Sequence, residues 1–301
     1  MGKATEGPLD AEENDDLAVT PQAHQTGHFS GAGGTRLFRQ RWQPEGKVRG
    51  VLVNLHGLGD HSAFYTAVVE HFTTRGFVVH APDLRGNGRS PGQRGHIARW
   101  SVFREDLRRF VELVRSEEAG VPLFLLGNSL GGLIVLDYAL QYPAGLQGVI
   151  AAAPPLGSLG IPAPLLALGK VMSRVFPRFA LRTGMDLSGL ARDPAVVETV
   201  QADPLFHRWG SARLSVEVAG AVARVQEGAA NFPLPVLLLH GGADRMVLPD
   251  GTRAFMQRLG QPDRQLLEYP EAFHALFADI GGEVALADVS RWIEAHLPAG
   301  Q

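Results

Sequence analysis

The chain has 301 residues, of which 45% are hydrophobic and 20% are charged, and its formal net charge is −3 at pH 7. This composition is typical of a globular protein with a sizeable core, and the near-neutral charge gives no support for nucleic acid as a partner. Because the chain has no cysteine, it cannot form disulfides, thiolate metal sites or a cysteine nucleophile.

The first 27 residues differ in composition from the rest. They carry one lysine, six acidic residues and few large apolar side chains, so they cannot bury enough apolar surface to offset the entropy lost on ordering. We expect residues 1–27 to form a disordered acidic leader. The segment has no signal-peptide pattern, and the chain has no uninterrupted apolar stretch of about 18 residues. We therefore expect a cytoplasmic protein.

Short apolar runs alternate with helical patterns from residue 28 onward. Alternation of apolar and polar residues predicts a half-buried strand at 35–42. The apolar runs predict strands at 48–57, 77–83, 121–128, 146–155, 234–242 and, more weakly, 264–270. The segments between them predict helices at 62–75, 101–118, 129–142, 250–260 and 284–297. Strands that are apolar on both faces are typical of a parallel sheet with helices on each side. We predict an α/β fold whose core has two parts, 28–154 and 235–301.

The alternation stops between these two parts. Residues 155–234 show no convincing strand, and we predict that they form a helical cap over the edge of the sheet. Within this cap, four apolar residues share one face at helical spacing: Leu168, Met172, Val175 and Phe179. This face either packs on the core or is exposed at the rim of an acyl-chain tunnel, where it would contact a lipid interface.

The pentapeptide Gly127-Asn128-Ser129-Leu130-Gly131 lies between a predicted strand and a predicted helix. Its serine is either the cap of that helix or a nucleophile. A nucleophile at such a turn needs small flanking residues, because the turn is so sharp that β-carbons there would collide. The helix N-terminus also supplies N–H groups suited to a developing anion. The nucleophile hypothesis then requires a histidine and an acid.

A serine hydroxyl becomes a good nucleophile when a histidine accepts its proton and an acid orients that histidine. Of the eleven histidines, His274 fits best, because it follows the last predicted strand and precedes the last predicted helix. His56 and His240 also end strands. His56, however, precedes Ser129, and His240 lies too close to its own strand.

Asp244 is the preferred acid, because it follows a predicted strand by a short glycine-containing loop and lies between Ser129 and His274 in the chain. Asp250 and Asp279 remain as alternatives. The stretch HGLGDHS at 56–62 contains glycines that allow the backbone to approach a substrate closely. We expect the oxyanion hole to be formed by two backbone N–H groups, those of Leu58 and Leu130.

With these motifs, the chain resembles the monoacylglycerol lipase and lysophospholipase group of α/β-hydrolases, the serine aminopeptidase-like branch. The resemblance covers about residues 30–297. It rests on HGLGDHS at 56–62, PDLRGNGRSPGQRG at 82–95, the pentapeptide at 127–131, ADPL at 202–205, HGGADRMV at 240–247 and FHALF at 273–277. It implies an α/β-hydrolase fold with a mostly parallel eight-stranded sheet, a helical cap and no cofactor or metal. It also implies a triad of Ser129, Asp244 and His274, with Leu58 and Leu130 as the oxyanion hole.

The function expected from this resemblance is a serine carboxylic ester hydrolase for lipid-like esters, similar to monoacylglycerol lipases and acting through an acyl-enzyme. Lysophospholipase or broad carboxylesterase activity is the main alternative, followed by peptide or amide hydrolysis and by a non-catalytic binding role. Three positions depart from the pattern of the group. Asn128 stands where many relatives have histidine, and Asp60 and Phe64 stand where glycerol-recognising relatives often have glutamate and arginine. The loss of a basic side chain argues against strict monoacylglycerol specificity.

Overall fold

The computed structural model describes residues 23–157 and 163–298, apart from the side chains of 163–166. Most of the predicted leader, residues 1–22, lies outside the described residues. Ten strands are present in the described ranges: β1 (His24–Ser30), β2 (Arg36–Trp42), β3 (Gly50–Leu55), β4 (Phe77–Pro82), β5 (Leu123–Asn128), β6 (Gly148–Ala152), β7 (Ala180–Arg182), β8 (Trp209–Ser211), β9 (Val236–Gly241) and β10 (Arg264–Tyr269).

Helices alternate with most of these strands. The described ranges contain α1 (Thr66–Thr73), α2 (Trp100–Glu117), α3 (Leu130–Ala139), α4 (Ala163–Val175), α5 (Pro194–Ala202), α6 (Ala212–Gly228), α7 (Asp250–Arg258) and α8 (Gly282–Ala295). The central sheet has eight strands in the order β1-β2-β4-β3-β5-β6-β9-β10. Strands β1 and β2 run antiparallel to their neighbours, and the pairs from β4 to β10 are parallel. The predicted α/β-hydrolase fold is confirmed.

Side chains of the parallel strands alternate between two apolar layers. Val53 and Leu125 pack on one face, together with residues of α2, α3 and α6. Leu52 and Phe124 pack on the other face, together with residues of α1 and α8. Most positions of β3 to β6 and β9 are therefore apolar, as the sequence pattern indicated, and the exceptions include the buried Asn54, His80 and His240. Because parallel strands end at the same edge of a sheet, the loops after β3, β5, β9 and β10 lie near one another.

Strand β1 begins inside the range that the composition assigned to the leader. It pairs with β2 along its whole length. The His24 ring stacks on Trp42 with 4.9 Å between centroids, and its Nε2 lies 2.9 Å from Oε1 of Gln40. This is an edge strand in which only Phe29 is buried, so its sequence shows no apolar periodicity. The boundary predicted at residue 27 therefore cuts through a strand.

The chain leaves the sheet after β6 and returns at β9. Helices α4, α5 and α6 lie in between, within the predicted cap range of 155–234. The expectation that this range has no strand is wrong, because β7 and β8 pair antiparallel within it. Strands of three residues are too short to show a periodic pattern. No helix in the described ranges is long and apolar enough to cross a membrane.

Candidate active site

The backbone at Ser129 makes the sharp turn that the pentapeptide predicts. Ser129 joins β5 to α3 with φ of 53° and ψ of −119°, a conformation that residues with a side chain rarely adopt. A β-carbon on Gly127 would collide with the backbone of Gly131, and one on Gly131 would collide with the carbonyl group of Leu55. The Ser129 side chain is partly exposed and makes no capping hydrogen bond to α3. The hydroxyl is thus presented at the turn and does not act as a helix cap.

Asp244 and His274 form a buried pair at the same edge of the sheet. Nδ1 of His274 lies 2.7 Å from Oδ2 of Asp244. The other carboxylate oxygen accepts the N–H groups of Met246 and Val247 at 2.8 and 2.9 Å. Burial alone would raise the pKa of Asp244, but the hydrogen bonds from His240, His274 and the Val247 N–H outweigh it and lower that pKa below its usual range. The carboxylate is therefore ionised and able to orient the imidazole.

The two alternative acids have other contacts. The Asp279 carboxylate accepts the N–H of Phe273 at 2.8 Å and that of Arg192 at 2.7 Å. It thereby holds the loop that carries His274, and it makes no hydrogen bond to the His274 ring in the described part of the chain. Asp250 is exposed at the start of α7. Neither residue is placed to orient His274.

His240, one of the alternative bases, is fully buried. Its Nε2 lies 2.8 Å from the carbonyl oxygen of Val247 and 3.5 Å from Oδ2 of Asp244, and its Nδ1 lies 2.9 Å from Oγ1 of Thr252. Both ring nitrogens are thus engaged in structural contacts. His56, the other alternative, is engaged in the same way, as described below.

Cap residues hold the loop that carries His274. The N–H of Ala275 donates to the carbonyl oxygen of Leu190 at 2.8 Å. The N–H of His274 donates to the carbonyl oxygen of Gly189 at 3.4 Å. Among the described residues, no hydrogen bond joins Ser129 Oγ to His274. The structure therefore brings the acid and the base together without a serine–histidine bond, and catalytic hydrogen bonds of this kind often tighten only when a substrate binds.

The loop at 56–62 lies directly against the serine. A β-carbon on Gly57 would stand 3.3 Å from Cβ of Ser129. In the described ranges, the N–H groups of Leu58 and Leu130 donate to no other group of the chain. Both predicted oxyanion donors are thus free to bind a substrate oxygen close to Ser129.

The buried His56 ring holds this loop through two hydrogen bonds. Its Nδ1 lies 2.7 Å from the carbonyl oxygen of Gly57, and its Nε2 accepts the N–H of Leu84 at 2.8 Å. Burial lowers the pKa of His56 despite nearby carboxylates. A neutral ring with its proton on Nδ1 accounts for both contacts, because Nε2 must then act as the acceptor.

A cavity of about 370 Å³ lies beside the turn, between the start of α1 and the loop before α8. Phe64 and Phe277 line it, and the buried Oδ1 of Asn128 has no hydrogen-bond partner there among the described residues. The carboxylate of Asp60 accepts the Tyr65 hydroxyl at 2.8 Å, and burial raises the pKa of Asp60. No local sequence pattern predicts this cavity, because its walls come from three distant segments.

One other cluster has the side chains of a cation site. His80, Glu117 and Glu118 offer ligand atoms within 4.8 Å of one another. Arg39, however, pairs with Glu117 at 2.6 Å, and Arg41 pairs with Glu118 at 2.8 Å. Because arginines already balance both carboxylates, we assign no metal site here.

Comparison with known proteins extends over nearly the whole chain. Residues 46–281 match the family model described as serine aminopeptidase, S33. The monoacylglycerol lipase of Mycolicibacterium smegmatis is 33% identical over 271 residues, which cover 89% of this chain and 96% of that protein. Human monoglyceride lipase is 30% identical, with 84% of each chain covered. The crystal structure of the Paleococcus ferrophilus monoacylglycerol lipase has a TM-score of 0.78 and 35% identity, covering 86% of this chain and 99% of that one.

Proposed function

This chain belongs to the serine aminopeptidase S33 family of α/β-hydrolases, and we propose that it is a serine carboxylic ester hydrolase that acts on lipid-like esters. The observation that carries the proposal is the 2.7 Å contact between Asp244 and His274, at the edge of the sheet where Ser129 is presented. The similarity to monoacylglycerol lipases supports a long-chain ester as substrate.

In the proposed mechanism, Oγ of Ser129 attacks the ester carbonyl carbon while His274 takes its proton. The N–H groups of Leu58 and Leu130 stabilise the oxyanion, an interaction that typically contributes a factor of about 10² to 10³ per donor. When the intermediate collapses, His274 returns the proton to the leaving alcohol and an acyl-enzyme remains. Water, deprotonated by His274, then attacks the acyl carbon, and collapse of the intermediate releases the carboxylic acid while His274 returns the proton to Oγ of Ser129. Asp244 stabilises the imidazolium in both steps.

The cavity beside Asn128 is not part of the proposed substrate site, because in the described ranges its lining includes none of Ser129, Leu58, Leu130 and His274. A carboxylesterase of broad alcohol specificity is the second candidate function. It is favoured by Phe64, which stands where glycerol-recognising relatives often have a basic side chain.

The exposed face of α4 supports a peripheral contact with a lipid surface. Leu168 and Val175 are 56% and 60% exposed, and Phe179, which follows the helix, is 53% exposed. Lys170 and Arg174 are exposed beside them. Apolar side chains with interleaved cations are typical of helices that lie in a membrane interface.

Location in the cytoplasm stays a prediction, which cell fractionation would test.

An ester panel on the purified protein tests the proposed function. We expect hydrolysis of monoacylglycerols and of neutral alkyl esters with long acyl chains, and no hydrolysis of amino-acid anilides. Turnover of the anilides without turnover of any ester would contradict the proposal. Preference for lysophosphatidylcholine over monoacylglycerols would favour the lysophospholipase alternative.

A further inference from the structure

The cap contacts the loop that carries Leu58 through its segment 203–209. The N–H of His207 donates to the carbonyl oxygen of Gly59 at 2.8 Å. Gly59 has φ of +79°, and a β-carbon on it would collide with the carbonyl oxygen of His207. The two backbones therefore touch where only glycine fits, and the position of the loop depends on the position of the cap.

The His207 side chain adds a second connection to the same loop. Its Nε2 lies 2.9 Å from Oδ1 of Asn87, and that oxygen also accepts the N–H of Gly59 at 3.0 Å. Nδ1 of His207 accepts the N–H of Trp209 at 3.2 Å, which assigns the ring proton to Nε2. The Asn87 amide donates to the carbonyl oxygen of Arg85 at 3.0 Å. Asn87 is thus held in one orientation, with its oxygen aimed at Gly59.

These contacts fix the peptide groups on both sides of Leu58. The peptide before Leu58 is held through Nδ1 of His56, which lies 2.7 Å from the carbonyl oxygen of Gly57. The peptide after Leu58 is held through the bond from Gly59 to Asn87. With both peptide planes fixed, the N–H of Leu58 has one direction available and is left free for the substrate.

We propose that His207 is a positioning residue for the oxyanion hole, and that through Asn87 it holds the Leu58–Gly59 peptide so that the hole is complete only while segment 203–209 of the cap is docked. The inference rests on the proposed function, because it concerns the same site. Burial, reinforced by the charge of Arg94, lowers the pKa of His207 to about 4. The ring is therefore neutral at neutral pH, as its two hydrogen bonds require.

The test uses an alkyl trifluoromethyl ketone, which reports on the oxyanion hole without any turnover. Oγ of Ser129 adds to the ketone carbon, its proton passes to His274, and the carbonyl oxygen becomes the anion that Leu58 and Leu130 bind. Ketone affinity is measured for the wild type, His207→Phe and His207→Gln. Phenylalanine keeps the ring volume without the donor, whereas glutamine keeps an N–H donor near the position of Nε2.

We expect His207→Phe to weaken ketone binding about 10- to 100-fold, the scale of a misplaced catalytic donor. The kcat for a long-chain ester should fall by a similar factor, while KM stays within about twofold because the donor acts mainly on the oxyanion. His207→Gln should restore most of both losses. Asn87→Ala removes the acceptor of the Gly59 N–H and leaves the ring in place. The double variant should be no worse than Asn87→Ala alone, because His207 acts through Asn87.

His71→Phe is the matched control for loss of a histidine ring. It removes a 2.6 Å contact to Ser290 between α1 and α8, outside the site, and should leave ketone affinity unchanged. Equal ketone affinity of His207→Phe and wild type would overturn the inference, as would failure of glutamine to restore it or an equal effect of the control. Wild type that binds the ketone but cleaves no ester would contradict only the proposed function. Wild type that binds no ketone would contradict both.

Discussion

Oδ2 of Asp244 lies 2.7 Å from Nδ1 of His274, and Oδ1 of the same carboxylate is held by two backbone N–H groups. An asparagine at this position would keep its oxygen on the two backbone N–H groups and turn its amide N–H towards Nδ1 of His274. The ring would then carry its proton on Nε2, where it cannot accept the proton of Ser129. We expect Asp244→Asn to lower kcat by about 10⁴-fold. Steady-state kinetics on a chromogenic long-chain ester measures this loss.

The matched control is Asp279→Asn, in the same loop between β10 and α8 that carries His274. Asp279 accepts the N–H groups of Phe273 and Arg192 and pairs with the Arg192 side chain at 3.0 Å. This variant should lower the melting temperature and retain most of its activity at a temperature where it stays folded. If Asp279→Asn lost activity in the folded protein and Asp244→Asn did not, our choice of acid would be wrong.

The exposed face of α4 predicts a substrate-dependent effect. Leu168→Asp combined with Val175→Asp should depress hydrolysis of long-chain esters in vesicles much more than hydrolysis of soluble butyrate esters, since each lost methylene contact at the interface costs about 0.8 kcal/mol. Because both side chains are more than half exposed, the melting temperature should not change. Tyr142→Asp, at an exposed position outside the cap, is the control. Equal loss on both substrates would exclude an interfacial role.

Strand β1 predicts a sharp boundary for N-terminal truncation. Removal of residues 1–22 should leave the melting temperature unchanged, because their composition offers little apolar surface to bury. Removal of residues 1–27 should lower the melting temperature, because the contacts of His24 with Trp42 and Gln40 are then lost. Thermal unfolding of the two truncated proteins distinguishes these cases. Identical melting temperatures would show that the first half of β1 adds nothing to stability.

The pKa of His207 predicts how its contribution to stability depends on pH. Its folded-state pKa of about 4 lies below the ordinary value of 6.5, so between these values the unfolded chain binds more protons than the folded protein. The stability that the neutral ring provides is complete above about pH 6.5 and is lost as the pH falls towards 4. The melting temperature of wild type should therefore fall more than that of His207→Gln over this range. Parallel curves for the two proteins would contradict a buried neutral ring.

The main features of the fold follow from local patterns in the sequence. The seven predicted strands all appear in the central sheet, because each is marked locally by an apolar run or, at 35–42, by alternation of apolar and polar residues. Strand β1 was missed because only Phe29 is buried in it. The pairing of Asp244 with His274 was predictable from chain order, since each follows a strand that ends at the same edge.

The contacts around the oxyanion hole could not be predicted in the same way. His207 and Asn87 are 120 residues apart, and no periodic pattern reports how an irregular cap segment docks on a distant loop. The only signal was the stretch ADPL at 202–205, which supported the family resemblance and lies just before His207. The cavity beside Asn128 was missed for the same reason, because its lining depends on how separate segments pack.

Turnover of a long-chain ester by Ser129→Ala, measured together with its thermal unfolding, tests the central claim most directly. The Ser129 hydroxyl caps no helix, so its loss should leave the melting temperature unchanged, while the loss of the nucleophile should reduce kcat by about 10⁴-fold or more. We predict a stable, inactive protein. A folded Ser129→Ala variant that retains substantial ester hydrolysis would contradict that prediction.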